Sequence, residues 1–233
     1  IALRPKTSMP PKTPVAAVLF DLDGTLIDTA PDFVRIVNQM RQEHGLAPFS
    51  FAAVRQQVSN GARALTTLAF GAEDSNPDFA QHLDTLLTRY EQQLAVDSCL
   101  FDGLNESLLT LEQQGIPWGI VTNKPSRYTK PLLAGLNLHE RCAVAICPDQ
   151  VTHRKPHPEP ILTACKLIGA DPLHTIYVGD HARDIEAGKR ANNFTVAAAW
   201  GYLNEGERAE DWQADITLPN PQDFNLWLQQ YLN

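Results

Sequence analysis

Cysteine is sparse in this chain, methionine sparser, and no stretch stays apolar for long. The four cysteines among 233 residues are Cys99, Cys142, Cys147 and Cys165, and they lack zinc-type spacing. They read as buried free thiols in a reducing compartment. No apolar run approaches the ~18 residues of a membrane span. Positive charge is also short, with 19 Lys and Arg against 27 Asp and Glu, a net charge of −8. That deficit argues against nucleic acid or an anionic membrane as the main partner. It leaves room for a small anionic ligand, because a metal and a few cationic side chains reverse the field locally. No internal repeat is visible. Ile1-Ala2-Leu3-Arg4-Pro5-Lys6 has no signal-peptide core, so a cytoplasmic protein is expected. Residues 1–14 are expected to be disordered or loosely attached. Residues 1–8 read as foreign to the native chain, with Met9 its candidate start. Oligomeric state stays open between monomer and homodimer.

Apolar residues make up 43% of the chain, enough for a sizeable core. The run Val15-Ala16-Ala17-Val18-Leu19-Phe20 reads as a buried parallel strand. It ends in Asp21-Leu22-Asp23-Gly24-Thr25. Two carboxylates one residue apart repel each other, and desolvation penalises both. A bound cation relieves that cost. Alternation along a strand would put them on opposite faces, so the chain must turn at Asp23, with Gly24 supplying the freedom.

The period then changes. Thr29-Ala30-Pro31-Asp32 has the cap residue, early proline and acid of a helix start. Phe33, Ile36, Val37 and Met40 follow at helical spacing, and Gly45 stops the run. Further helices are expected over 51–58 and 62–70. The longest uses Phe79, Leu83, Leu86, Leu87, Tyr90 and Leu94. No strand pattern interrupts residues 30–98, which therefore read as a helical unit inserted after the first strand. From residue 99 the chain alternates, with strands over 116–122, 143–147, 175–180, 194–200 and 216–218. Helices fall between them, and Pro131 is expected to bend or restart one. The fold class is α/β, a doubly wound parallel sheet of Rossmann-like form with an inserted helical cap. The core is assigned to 15–29 and 99–233, the cap to 30–98.

Ligands of open parallel sheets bind at the carboxyl ends of strands. The first strand ends in Asp21 and Asp23, the second in Thr122-Asn123-Lys124-Pro125. Thr152-His153-Arg154-Lys155-Pro156 follows the third, and the fourth ends in Gly179-Asp180 with Asp184 four residues on. One sheet edge thus gathers four carboxylates, a hydroxyl, an amide and a lysine. Such a set makes a hard-cation site beside an anion site.

With these four motifs in place, the chain resembles the haloacid dehalogenase superfamily of phosphatases from Val15 onward. The resemblance implies that Asp21 attacks phosphorus and forms an aspartyl-phosphate. Asp23 then serves as acid and base. It implies Mg2+ on the Asp21 side chain, the Asp23 carbonyl and Asp180, with Asp184 behind them holding metal waters or Lys155. Thr122 and Lys155 would hold phosphoryl oxygens, and Asn123 would orient that loop or the substrate. The partner implied is a small-molecule phosphate ester.

Specificity is expected from the cap. Gly61 opens a helix whose N–H groups suit an anion, and Arg63 suits a carboxylate or phosphate. Lys124, Arg127 and His181 are candidates to flank the substrate or plain surface residues. Trp200-Gly201-Tyr202 either lines the entrance or packs. The Gly61–Leu65 stretch, Lys155-Pro156-x-Pro158 and Trp200-Gly201-Tyr202 resemble the phosphoglycolate phosphatase branch. Ser59-x-Gly61-Ala62-Arg63-Ala64, Val121-Thr122-Asn123-Lys124-Pro125 and Cys147-Pro148-Asp149 are similar to N-acetylmuramic acid 6-phosphate phosphatases of cell-wall recycling. Both substrates carry a carboxylate beside a phosphate ester. A phosphomutase shares all four motifs and stays open. A phosphorylated receiver domain lacks such an insert, and a dehalogenase needs neither Asp23 nor Asp180.

Overall fold

The computed structural model describes residues 14–233; the expectations for residues 1–13, Met9 among them, lie outside the described residues. β1 (Ala17–Phe20) leads through a short β2 (Ile27–Asp28) into four helices, α1 (Ala30–Glu43), α2 (Phe51–Val58), α3 (Ala62–Phe70) and α4 (Phe79–Gln93). β3 (Cys99–Leu100) returns the chain antiparallel to β2. Alternation follows with α5 (Leu104–Gln113), β4 (Trp118–Val121), α6 (Ser126–Gly135), β5 (Val144–Ile146) and α7 (Glu159–Ile168). It continues through β6 (Thr175–Gly179), α8 (Ala182–Arg190), β7 (Phe194–Ala198), β8 (Ile216–Leu218) and α9 (Pro221–Leu232).

The main sheet has the order β5-β4-β1-β6-β7-β8, every neighbour parallel. β1 is central, pairing Val18 with Trp118 on one side and with Ile176 on the other. The strand order reverses there, which makes the carboxyl end of β1 the natural ligand crevice. Alternation along β1 feeds both faces. Val18 and Phe20 pack with Leu108 of α5, Leu132 of α6 and Phe224 and Leu228 of α9. Leu19 packs with Ile161 and Cys165 of α7 and Ala187 of α8. The sequence run is continuously apolar because both faces are covered.

The four helices between β2 and β3 bury their own cluster, including Phe33, Ile36, Met40, Val54, Leu65 and Leu86. α2 and α3 fall where the periodicity puts them. The β2–β3 ribbon was not anticipated: two residues per strand carry no periodic signal. Pro131 does not restart α6, which runs through it as one helix. The proline is exposed, so its ring displaces no packed neighbour. Thr29 makes no side-chain cap on α1. Its hydroxyl donates instead to Asp23 Oδ1 at 2.6 Å. The first N–H of α1, on Ala30, donates to the Tyr202 hydroxyl at 2.9 Å.

Asp32 does more than complement a helix dipole. Fully buried, its carboxylate accepts from the Asp97 N–H at 2.8 Å, the Ser98 hydroxyl at 2.5 Å and the Arg35 guanidinium at 2.7 Å. It ties the chain leaving the helical insert to the helix that enters it. Removing one member of such a network strands the others without partners. Asp32→Ala is expected to cost about 3 kcal/mol of unfolding free energy. Urea denaturation beside an Asp32→Asn control measures it.

Candidate active site at the carboxyl edge of the sheet

The Asp21 N–H continues the ladder of β1, donating to the Val178 carbonyl at 2.9 Å. The chain then breaks away. The Leu22 carbonyl accepts from the N–H groups of Thr25, Leu26 and Ile27, and Gly24 takes φ +83°. A side chain at Gly24 would also strike Asp180, its Cβ falling 2.3 Å from Oδ2. This turn brings Asp23 to the same cleft as Asp21. Asp23 Oδ1 accepts from Lys124 Nζ at 2.9 Å and from the Thr29 hydroxyl.

Lys155 joins the strand ends. Its ammonium, 2% exposed as a residue, lies 2.8 Å from Asp21 Oδ1, 2.8 Å from Asp184 Oδ1, 2.8 Å from the Val121 carbonyl and 2.7 Å from the Tyr177 hydroxyl. Burial alone would push the lysine down, but Asp184 and Asp21 hold it above its ordinary value. Asn123 secures the lysine's backbone with two bonds, accepting from the Lys155 N–H at 3.1 Å and donating to its carbonyl at 3.0 Å. Its amide thus orients the loop. Thr122 is buried, and its Oγ1 accepts from the Lys124 N–H at 3.0 Å, which leaves the hydroxyl proton free.

Asp21, Asp180 and Asp184 are all buried, each offering a carboxylate oxygen within 4.8 Å of the others. Asp180 Oδ1 accepts from the Thr25 hydroxyl at 3.1 Å and Oδ2 from the Tyr202 N–H at 2.8 Å. Asp184 stands at the third position of α8, where Oδ2 accepts from the His181 N–H at 3.1 Å. Burial raises the pKa of Asp21, opposed by Lys155. Burial, reinforced by Asp21 and Asp184, raises that of Asp180 well above the ordinary value. With elevated pKa values, these two groups favour the fold while protonated, and that contribution is lost as pH rises through them. A divalent cation reverses the sign. The donors are hard oxygens, as Mg2+ requires. The fit around them is close: a Cβ at Gly201 would lie 2.1 Å from that of Asp180. The residues therefore suit such an ion.

A cleft of about 150 Å³ opens between this edge and the inserted helices. Phe33, Val58, Gly61, Ala62, Tyr90 and Tyr128 form its apolar wall, with Phe33 and Tyr90 stacked at 4.2 Å. Gly61 lines it as expected. Arg63 does not: it pairs with Glu73 and lies over the Phe79 ring at 5.3 Å, 61% exposed. Ala62 faces the cleft, and the next residue of a helix points about 100° away. Arg127 is likewise spent on Glu91, at 2.6 Å. His181 caps α8, its Nδ1 accepting from the Arg183 N–H at 3.2 Å, and burial pushes its pKa down. Trp200 and Tyr202 pack behind the site, the indole donating to the Thr25 carbonyl at 3.0 Å. Sequence reasoning missed Tyr177, Thr25 and Arg183 as site residues. Tyr177 reads as one more core residue of a strand, and Arg183 as a solvated helix residue.

A family profile described as Haloacid dehalogenase-like hydrolase matches residues 18–198. An N-acetylmuramic acid 6-phosphate phosphatase of Pseudomonas aeruginosa is 44% identical over 208 residues, 89% of this chain and 92% of that protein. A phosphoglycolate phosphatase of Xanthomonas campestris pv. campestris is also 44% identical, over 91% of this chain and 94% of its own. Among solved structures, a "predicted phosphoglycolate phosphatase" from Haemophilus somnus superposes with a TM-score of 0.80 at 26% identity, covering 94% and 99% of the two chains. The chain belongs to the haloacid dehalogenase-like hydrolases, and among them it is a phosphatase.

Proposed function

We propose that the protein is a Mg2+-dependent phosphomonoesterase that hydrolyses a small carboxylate-bearing phosphate ester through an aspartyl-phosphate, as a phosphoglycolate phosphatase would. The observation that carries this reading is the buried Asp21–Lys155–Asp184 cluster with Asp23 on the same cleft. Lys155 holds Asp21 Oδ1, which leaves Oδ2 to attack phosphorus. As the Oδ2–P bond forms, the bond from phosphorus to the ester oxygen breaks, and Asp23 protonates that oxygen. Both donors to Asp23 converge on Oδ1, which leaves Oδ2 as the oxygen free to exchange a proton with the ester oxygen. Asp23 next takes a proton from water, which attacks phosphorus and releases Asp21 and phosphate. The free Thr122 hydroxyl proton and nearby backbone donors hold phosphoryl oxygens. Asp21, the Asp23 carbonyl and Asp180, with Asp184 behind them, would hold Mg2+, whose charge would offset that of the carboxylates and the phosphoryl oxygens. Residues 30–98 act as a cap over the core of 15–29 and 99–233, excluding water when closed.

N-acetylmuramic acid 6-phosphate is a second reading. It is supported by the apolar wall of Phe33, Tyr90 and Tyr128, broad enough to meet a sugar ring, and by the Pseudomonas relative. A kcat/KM comparison of the two esters decides between them, and free phosphate rather than an isomerised ester as product excludes a mutase.

Asp21→Asn is expected to lower phosphate release by at least about 10³-fold with circular dichroism unchanged. Chelation should abolish turnover. At about 100 times its Kd, Mg2+ should add about 2.7 kcal/mol, roughly 5–10 °C in Tm, an increment absent in Asp180→Asn. Arg63→Ala is expected to change kcat/KM by less than about twofold, because an exposed ion pair outside the cleft is worth little.

A further inference from the structure

Four other cations near the cleft have their charge answered by a carboxylate. Lys155 is held by Asp21 and Asp184, Lys124 by Asp23, Arg63 by Glu73 and Arg127 by Glu91. Arg183 lines the cleft and makes no ion pair among the described residues. It projects from the first turn of α8, one residue before the Asp184 that pairs with Lys155. Its Nη2 crosses to the inserted helices and donates to the Ser59 carbonyl at 2.9 Å. A guanidinium carries five donors, and one hydrogen bond to a carbonyl leaves most of its fork unused.

The surroundings select for an anion. The Ser59 hydroxyl is buried with no hydrogen-bond partner. Two residues on, Gly61 caps α3 with no side chain, and its φ of +88° turns the chain so that the helix begins at Ala62 on the cleft wall. The positive end of that helix therefore faces the same space. The phosphoryl group already has donors at Thr122 and its own cation site. The unanswered guanidinium lies at the seam between cap and core, where the leaving group must lie.

We propose that Arg183, with the Ser59 hydroxyl beside it, binds the carboxylate of the substrate's leaving group, and that this contact makes the substrate part of the join between cap and core. The inference rests on the reading of the substrate as a carboxylate-bearing ester. A carboxylate on the guanidinium fork would add a charge-assisted bridge beside the one bond to Ser59. An ester without a carboxylate would leave the half-buried guanidinium without that partner. Such an ester is rejected by what it lacks, which is the stronger form of discrimination.

The test uses matched pairs on the full chain with Mg2+. One pair is 2-phosphoglycolate against 2-hydroxyethyl phosphate. The other is N-acetylmuramic acid 6-phosphate against N-acetylglucosamine 6-phosphate, which lacks the lactyl carboxylate. The wild type should prefer the carboxylate-bearing member of at least one pair. In Arg183→Gln that preference should fall about 10- to 100-fold, mainly through KM, with Arg183→Lys intermediate because it keeps charge but not the fork. Unchanged thermal midpoints show that the variants fold, and Ser59→Ala, a smaller change, repeats the test with a smaller expected loss. The proposal is overturned if the preference survives in Arg183→Gln, or if both members of a pair lose equally, which would assign Arg183 to the phosphoryl group. A wild type without preference in either pair removes the carboxylate reading itself.

Discussion

An ammonium group buried among carboxylates is the constraint on which the site depends. Lys155 is taken out of water, and nothing in an apolar core would tolerate it unpaired. Asp21 and Asp184 neutralise it, the Val121 carbonyl and the Tyr177 hydroxyl complete its shell, and Asn123 fixes its backbone. An apolar cluster of similar volume would hold the fold at least as well, so stability does not explain this arrangement. Its effect is on orientation: one oxygen of Asp21 is held and the other left free. The same lysine offsets part of the repulsion between Asp21 and Asp184, but it does not reach Asp180, whose pKa stays raised. The residual strain is what a divalent cation relieves.

The sheet makes this possible because its carboxyl edge collects residues far apart in the chain. Asp21, Thr122 and Asp180 each follow the last residue of a buried strand, and β4, β1 and β6 are adjacent. Buried parallel strands deform little, so the groups at their ends keep their separations. The cap is joined differently. Its contacts to the core are apolar where Tyr128 and Tyr202 join the buried cluster of the insert, and polar elsewhere: Arg55 to the Trp200 carbonyl at 2.7 Å, Asn60 to Asn204 at 3.1 Å, Arg183 to the Ser59 carbonyl, Arg127 to Glu91. The polar contacts exchange readily with water, whereas the Asp32 network at the hinge is buried.

The catalytic edge was legible because its chemistry conflicts with its surroundings. Carboxylates and a glycine at the end of an apolar strand stand out, and their order along an alternating chain placed them on one edge. The helices of the insert were legible from period alone. What stayed hidden was whatever agrees with its surroundings. Tyr177 occupies a buried strand position like any core aromatic, and its hydroxyl partner is remote in sequence. Thr29 has the residue type of a helix cap but serves Asp23. Arg63 and Arg183 show the limit most clearly. Both stand in the first turn of a helix beside a motif, yet one faces an exposed glutamate and the other the cleft. Helical phase relative to a partner element decides that difference, and a single sequence does not carry it.

The division of labour follows from these placements. In the proposed mechanism, attack and proton transfer belong to side chains on the sheet edge, which any phosphate ester would meet in the same way. On the proposed reading, selection belongs to the seam, where groups from α8 and from the Ser59–Ala62 turn meet. α8 serves both: Asp184 faces inward to Lys155, while Arg183, one residue earlier, faces the cleft. A leaving group that engages Arg183 therefore acts on the helix that also holds the lysine's second carboxylate. Binding energy from the far end of the substrate is in this way delivered to the element that positions the nucleophile, a use that favours the transition state over mere retention of substrate.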